Sequence, residues 1–231
     1  MKQNIRKCIS FIVIILVIIL GVFLIWRSEK ANAPADAIGK EVPDNPSTSS
    51  EPSAPSDLTK QQDLLAKLQK SVDARDFETF ANLLQEVYKN QWNNEEFTKL
   101  ESDMYVYATD TYFAKGDLAN SLRVSTIVYN KVSEAWRFRY LRVVTLEKYG
   151  RNALNAGDLK TAEDYANKIL QMMYRIEGAN LIADVYISRI KDNIKDGNTT
   201  LAKQNLVYIW DYEVSADRRA TLTDLKTQLG L

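Results

Sequence analysis

Two patterns of apolar and polar residues divide the 231-residue chain. Residues 9–26, ISFIVIILVIILGVFLIW, form an apolar run without a charged side chain. From residue 58 onwards, apolar residues instead recur every three or four positions, which places them on one face of an α-helix. The segment 159–173 shows this most clearly, with apolar side chains at positions 159, 162, 166, 169, 170 and 173. The sequence therefore predicts an all-α protein with one strongly apolar N-terminal segment.

The apolar run, residues 9–26, is predicted to be a transmembrane helix. At about 1.5 Å rise per residue it covers about 27 Å, close to the hydrocarbon thickness of a bilayer. Basic residues before it favour a short cytoplasmic tail, residues 1–8, and an extracytoplasmic C-terminal domain. A cleaved signal peptide is the alternative, because the ANA sequence at 31–33 has the small residues of a cleavage site. We favour the uncleaved anchor, because the apolar run is long for a signal peptide.

Residues 27–57 are predicted to be a disordered linker. All five prolines of the chain lie between positions 34 and 55, and residues 31–57 contain five acidic residues against Lys40 alone. Large apolar side chains are scarce there, so burial cannot offset the entropy lost on ordering. The one cysteine, Cys8, precedes the apolar run, so the later part of the chain cannot form an internal disulfide. These features indicate a single-pass protein of a bacterial cytoplasmic membrane.

A turn signal recurs through residues 58–231. Gly-Asp-Leu occurs at 116–118 and 157–159, Gly-Asn-Thr at 197–199, and a weaker Arg-Asp-Phe at 75–77, so the intervals are 41, 41 and 40 residues. Gly suits the left-handed end of one helix, and Asp or Asn suits the N-cap of the next. The repeat predicts an α-solenoid of about four helical hairpins. A final capping helix is predicted to bury three leucines: Leu222, Leu225 and Leu229.

The unit at residues 146–170, LEKYGRNALNAGDLKTAEDYANKIL, resembles a tetratricopeptide repeat (TPR). Gly150 matches the small residue of the family's first helix, Gly157 the turn, and Ala162 the small packing position of the second helix. The period is longer than the family's, and the proline that usually closes each unit is absent; longer first helices would supply the extra residues. The resemblance implies that the first helices of successive hairpins line a groove for a protein or peptide partner.

Counting from the turn glycines identifies the candidate groove residues. Those of the second unit are aromatic or acidic, whereas those of the third and fourth units are mostly basic. The candidates are Tyr107, Asp110, Phe113, Lys148, Arg151, Asn155, Lys191 and Lys195. The basic half suits an acidic or C-terminal segment of a partner. Ordinary solvated helix charges explain the same residues equally well, and the family's carboxylate clamp of Lys and Asn is not reproduced.

The segment 135–142, AWRFRYLR, alternates basic and aromatic residues. Such interleaving occurs in proteins that bind single-stranded nucleic acid. However, the 30 basic and 30 acidic residues of the chain balance, so no overall field favours nucleic acid. Helical spacing instead predicts that Trp136 and Tyr140 lie in the core, with Arg139 and Arg142 on the surface. We therefore expect no nucleic-acid partner.

Catalytic residues are scarce. The chain has no histidine, which excludes catalytic and metal sites built on that residue, and its isolated glycines form no phosphate-binding loop. The Glu101-Ser102 pair is similar to the Glu-Ser of helical lytic transglycosylases, but the residues after it do not fit that family. Adjacent carboxylates on a helix surface do not supply the two facing carboxylates of a glycosidase. We therefore expect no enzyme, cofactor or metal site.

The leading hypothesis is a non-enzymatic scaffold anchored in the cytoplasmic membrane. It would bind a protein or peptide on the extracytoplasmic side, as an assembly or chaperone-like factor for a secretion, cell-envelope or surface-appendage complex. The alternative is an envelope enzyme that acts on cell-wall glycans.

Overall fold

The structure is a computed structural model that describes residues 57–92 and 94–231. The predicted cytoplasmic tail, transmembrane helix and linker lie outside the described residues, apart from Asp57. Within the part of the chain that is described, no helix is both long enough and apolar enough to cross a bilayer. This part is all-α, as the sequence predicts.

Nine α-helices follow one another in the described residues. They are α1 (Asp57–Ala74), α2 (Phe77–Lys89), α3 (Glu95–Ala108), α4 (Leu118–Lys131), α5 (Trp136–Asn155), α6 (Leu159–Gln171), α7 (Arg175–Lys195), α8 (Thr199–Trp210) and α9 (Ala216–Gln228). A π-helical segment, Thr109–Phe113, directly extends α3. Helices α5 and α7 contain 20 and 21 residues, whereas α6 contains 13. Long odd-numbered helices therefore account for the long spacing between turn signals.

The turns α1–α2, α3–α4, α5–α6 and α7–α8 share one backbone geometry. In each, a residue with positive φ stands directly before the helix cap: Arg75 (57°), Gly116 (79°), Gly157 (78°) and Gly197 (73°). The next side chain then caps the following helix; Asp158 Oδ1, for example, accepts a hydrogen bond from the Thr161 amide at 3.0 Å. Asp76, Asp117 and Asn198 make the same bond. The predicted turns are confirmed at all four positions.

The helices pack in sequential pairs. Helix α5 packs on α4 and α6, and α7 packs on α6 and α8. Each of α1, α3 and α5 also contacts the next odd-numbered helix, and α9 packs on α7 and α8. Short turns make paired helices antiparallel, so the odd-numbered helices run in one direction. We call their exposed sides the odd-helix face; on α5 and α7 it includes Lys148 and Lys191.

Two clusters of buried residues form the core along the stack. The first surrounds Phe80, Met104 and Phe138, and the second surrounds Ile169 and Ile182. The leucines predicted to face inwards from the capping helix are buried: Leu222, Leu225 and Leu229.

Gly150 lies where α5 approaches α7. A Cβ atom at this position would stand 2.4 Å from Cδ2 of Leu181, well inside van der Waals contact. The small residue identified in the sequence therefore permits close packing of two odd-numbered helices.

The core prediction for residues 135–142 is wrong. Trp136 is 59% exposed and Tyr140 41% exposed, whereas Phe138 and Leu141 are fully buried. Arg139 is partly buried and donates a hydrogen bond to the main-chain carbonyl of Met172. Large apolar residues lie on both the exposed and the buried sides of α5 in this segment. The spacing of apolar residues alone therefore does not identify the side that faces the neighbouring helices.

Candidate functional site

Four of the predicted groove residues are exposed cations or amides on α5 and α7: Lys148, Asn155, Lys191 and Lys195. Among the described residues, their side chains have no hydrogen-bond, ion-pair or ring partner. With 3.6 residues per turn, Lys148 and Asn155 fall within one third of the circumference of α5, and Lys191 and Lys195 within a similar arc of α7. On α5 and α7, the odd-helix face therefore carries three lysines, Lys148, Lys191 and Lys195, that no carboxylate among the described residues neutralises.

Arg151, the fifth predicted residue of the basic half, is engaged within the protein. Its guanidinium donates to Glu147 Oε1 from Nε at 2.9 Å and from Nη2 at 2.6 Å. Its Nη1 donates to Oδ2 of Asp184 on α7 at 3.2 Å. Because both carboxylates compensate its charge, Arg151 links α5 to α7 and is not a free cation for a partner.

Asp184 extends this link to the capping helix. It accepts hydrogen bonds from Nε and Nη2 of Arg218 at 2.9 and 2.8 Å. The hydrogen bond with Asp184 raises the pKa of Arg218 above its ordinary value. We call Glu147, Arg151, Asp184 and Arg218 the Asp184 network. It connects α5, α7 and α9 along one side of the stack.

The predicted aromatic half of the groove packs largely against the first hairpin. The Tyr107 ring lies 6.3 Å from the Phe77 ring, and the guanidinium carbon of Arg75 lies 4.4 Å from the Tyr107 centroid. Phe113 is half-buried against the N-terminal core cluster. Asp110, by contrast, is exposed.

The π-helical segment explains why counting residues is a poor guide in this region. The Ala114 amide donates to the Thr109 carbonyl at 2.8 Å, a bond that spans five residues instead of four. The wider turn rotates the residues after it relative to a regular α-helix. Phe113 therefore lies at a different angle from the one that α-helical spacing gives.

An exposed aromatic patch also lies at the N-terminal ends of α5 and α7. It consists of Trp136, Tyr140, Met173, Tyr174 and Ile176. The rings of Tyr140 and Tyr174 are 6.3 Å apart, and all members except the half-buried Tyr174 are exposed. Sequence reasoning missed this patch because it assigned the aromatic residues of α5 to the core.

A crevice between α2 and α3 is the second candidate site. Helices α2 and α3 pack less closely than α4 and α5 or α6 and α7, which leaves a cavity of about 480 Å³. The residues that line it are Leu84, Val87, Tyr88, Gln91, Trp92, Phe97, Thr98 and Glu101. The Trp92 and Phe97 rings are nearly parallel, with centroids 6.3 Å apart. The crevice is mainly apolar and aromatic.

Glu101 is the one carboxylate among the described residues that line the crevice, and it is only 5% exposed. Its Oε2 accepts a hydrogen bond from the Tyr88 hydroxyl at 3.0 Å. Its Oε1 has no hydrogen-bond partner, and the nearest cation, Nη1 of Arg137, lies 3.8 Å away. Burial raises the pKa of Glu101 despite the opposing effects of Tyr88 and Arg137. Burial, together with the nearby Glu101 charge, also raises the pKa of Tyr88.

The Glu101-Ser102 pair is only an indirect signal for this site. The burial of Glu101 arises from the first hairpin, which no local pattern around residue 101 reveals. In the described part of the chain, no group of three or more Cys, Asp or Glu side chains lies close enough to hold a metal ion.

Comparison of the chain with protein-family models, curated proteins and solved structures finds no match.

Proposed function

We propose that the chain is a membrane-tethered, TPR-like scaffold that binds a protein or peptide through its odd-helix face. In this proposal, residues 9–26 anchor the chain in the cytoplasmic membrane, and residues 27–57 are the spacer that holds the helical domain on the extracytoplasmic side. The scaffold is non-enzymatic and serves the assembly or folding of a secretion, cell-envelope or surface-appendage complex.

The repeated hairpin geometry supports the TPR-like assignment. Four turns with positive φ recur at nearly equal intervals, each followed by the same side-chain cap. Gly150 permits a close helix contact, and Ala162 is fully buried at the small position of the second helix. Long odd-numbered helices explain the departure from the family's period.

The observation that carries the binding proposal is the combination of exposed groups on the odd-helix face. Lys148, Lys191 and Lys195 have no internal counter-ion among the described residues. Towards the N-terminal ends of α5 and α7, the aromatic patch exposes apolar surface. Contiguous exposed apolar groups beside charged residues are typical of protein interaction sites. A partner segment with apolar and acidic residues complements both features.

Site-specific photocrosslinking in native membranes tests this proposal. A photoreactive phenylalanine analogue replaces Tyr140 on the odd-helix face of the full chain, and in a matched control it replaces Val207, an exposed residue of α8. We expect a defined adduct from position 140 and none from position 207. Equal adducts from both positions, or none from either, would contradict the proposed face. Release of fragments from purified cell wall by the full chain would favour the glycan-enzyme alternative.

A further inference from the structure

The α2–α3 crevice plays no part in the proposed scaffold function, yet it has the size of a ligand site. Small-molecule sites in proteins enclose about 300–1,000 Å³ and combine apolar walls with a few polar groups. The crevice has a volume of about 480 Å³ and adds Gln91, Thr98 and Glu101 to its apolar lining. We propose that this crevice binds a compact organic cation, a quaternary or protonated ammonium group.

Aromatic walls are the first reason to expect a cation. Tyr88, Trp92 and Phe97 line the crevice from the end of α2, the α2–α3 connection and the start of α3. The faces of aromatic rings carry partial negative charge, and they attract ammonium groups most strongly where water is displaced. Three aromatic residues around one cavity therefore suit a methylated or protonated amine.

The charge of the lining is the second reason. Glu101 is its one acidic residue, and no described residue of the lining is basic. An anionic ligand would meet a carboxylate whose nearest counter-charge, Arg137, lies outside the lining. An uncharged ligand would leave the Glu101 carboxyl group as poorly compensated as it is without a ligand. Only a cation adds an attractive charge interaction to the apolar and aromatic contacts.

The position of Arg137 is the third reason, because this residue is the cation that already faces Glu101. Its Nη1 lies 3.8 Å from Oε1, beyond hydrogen-bond range, and its guanidinium carbon lies 4.8 Å from the Trp136 ring centroid. Arg137 approaches from α5 and does not line the crevice. The Glu101 charge is therefore compensated in part from the α5 side, and a ligand in the crevice supplies further positive charge.

Choline and its uncharged isostere, 3,3-dimethylbutan-1-ol, provide a direct test. The two molecules have nearly the same shape, so the difference between their affinities isolates the effect of charge. Calorimetric titration of the full chain in detergent is expected to show binding of choline at least about tenfold tighter than that of the alcohol. Equal affinity, or no binding of choline, would overturn the proposal.

Variants then assign the effect to the crevice. We expect Glu101→Gln to weaken choline binding at least about tenfold and to leave binding of the alcohol unchanged. Glu96→Gln, which neutralises an exposed acid of the same helix, is the matched control and is expected to keep full choline affinity. Trp92→Leu provides a second, independent variant should Glu101→Gln not fold. Choline affinity that neither Glu101→Gln nor Trp92→Leu lowers would also overturn the proposal.

Two further probes distinguish the possible sources of the ammonium group. N-acetyl-lysine methylamide represents a lysine side chain of a partner protein. Vesicles with phosphocholine headgroups, compared with phosphoglycerol vesicles, represent a membrane surface. These measurements are independent of the odd-helix face. A failed crosslink at position 140 would not affect choline binding, and absence of choline binding would not affect the crosslink.

Discussion

Asp184 of α7 and Arg218 of α9 form a two-pronged ion pair, with Nε–Oδ1 and Nη2–Oδ2 distances of 2.9 and 2.8 Å. Their side chains are only 20% and 18% exposed. Arg151 of α5 donates to the same Oδ2 atom of this carboxylate. The capping helix is therefore held to the stack by a directional polar contact as well as by its buried leucines. Paired bonds of this kind restrict orientation more than apolar contacts do.

Asp184→Asn is expected to lower the free energy of unfolding by about 1–3 kcal/mol. The substitution leaves Arg151 and Arg218 facing each other without the carboxylate that compensates both. Denaturant unfolding monitored by circular dichroism measures the effect. Asp164→Asn is the matched control, because Asp164 is exposed on α6 and has no side-chain partner among the described residues. Equal stability of the two variants would show that the Asp184 network contributes nothing.

Alanine substitutions at Gly157 and Gly150 are expected to lower the stability of the protein for different reasons. Gly157 has a φ of 78° and open space around its missing Cβ, so Gly157→Ala is expected to cost about 1 kcal/mol from backbone strain alone. Gly150→Ala instead forces a Cβ against Leu181, and overpacking of this kind costs about 1–3 kcal/mol.

The additional substitution Leu181→Ala distinguishes overpacking at position 150 from backbone strain at position 157. The smaller residue makes room for the new Cβ, so it is expected to reduce the cost of Gly150→Ala and to leave that of Gly157→Ala unchanged. Double-mutant cycles on unfolding free energies measure this coupling. Absence of coupling between positions 150 and 181 would contradict the close contact of α5 and α7.

Glu101 is expected to make the stability of the protein fall as the pH rises. Its pKa is higher in the folded chain, mainly because of burial. Between the ordinary pKa of a glutamate and this raised pKa, the folded state binds more protons than the unfolded state, so unfolding becomes easier with increasing pH. The favourable contribution is complete below the ordinary pKa and is lost above the raised one.

Glu101→Gln removes this titration. Unfolding free energies of the original chain and the variant, compared from pH 4 to pH 8, are expected to show the original chain losing stability relative to the variant. A difference that changes in the opposite direction would mean that Tyr88 and Arg137 stabilise the carboxylate more strongly than burial destabilises it.

The aromatic patch is expected to contribute to binding and little to folding. Trp136 is largely exposed, so Trp136→Ser is expected to leave the unfolding free energy nearly unchanged and to weaken partner binding. Phe138→Ala, two residues away in the core, is expected to destabilise the protein by about 3–5 kcal/mol. Thermal unfolding and partner crosslinking of both variants check this contrast. A large loss of stability in Trp136→Ser would contradict this expectation, because it would show that the Trp136 side chain contributes to the core.

Local signals made the helices and their turns predictable. Gly157 and Asp158, for example, end one helix and begin the next through bonds to residues at most five positions away. Local signals do not predict contacts between residues that are far apart in the sequence. Asp184, which accepts a hydrogen bond from Arg151, belongs to another helix 33 positions later. The second partner of Arg151, Glu147, lies only one helical turn away, within the range of local signals.

The π-helical segment and the burial of Glu101 could not be predicted from the sequence, for other physical reasons. The π-helical segment that begins at Thr109 contains one extra residue in a single helical turn. The spacing of apolar residues along the chain does not reveal such an insertion. The burial of Glu101 depends on Tyr88 of α2 and Arg137 of α5, which belong to other helices. Both lie in the N-terminal part of the described chain, where the repeat in the sequence is weakest.

Charge reversal on the odd-helix face tests the central proposal most directly. The partner crosslinked at position 140 is titrated with a full chain carrying Lys148→Glu, Lys191→Glu and Lys195→Glu. The matched control carries Lys89→Glu, Lys131→Glu and Lys160→Glu, three exposed lysines of even-numbered helices. We expect the first variant to bind at least about tenfold more weakly and the control to bind like the original chain. Equal binding by both variants would contradict a partner site on the odd-helix face.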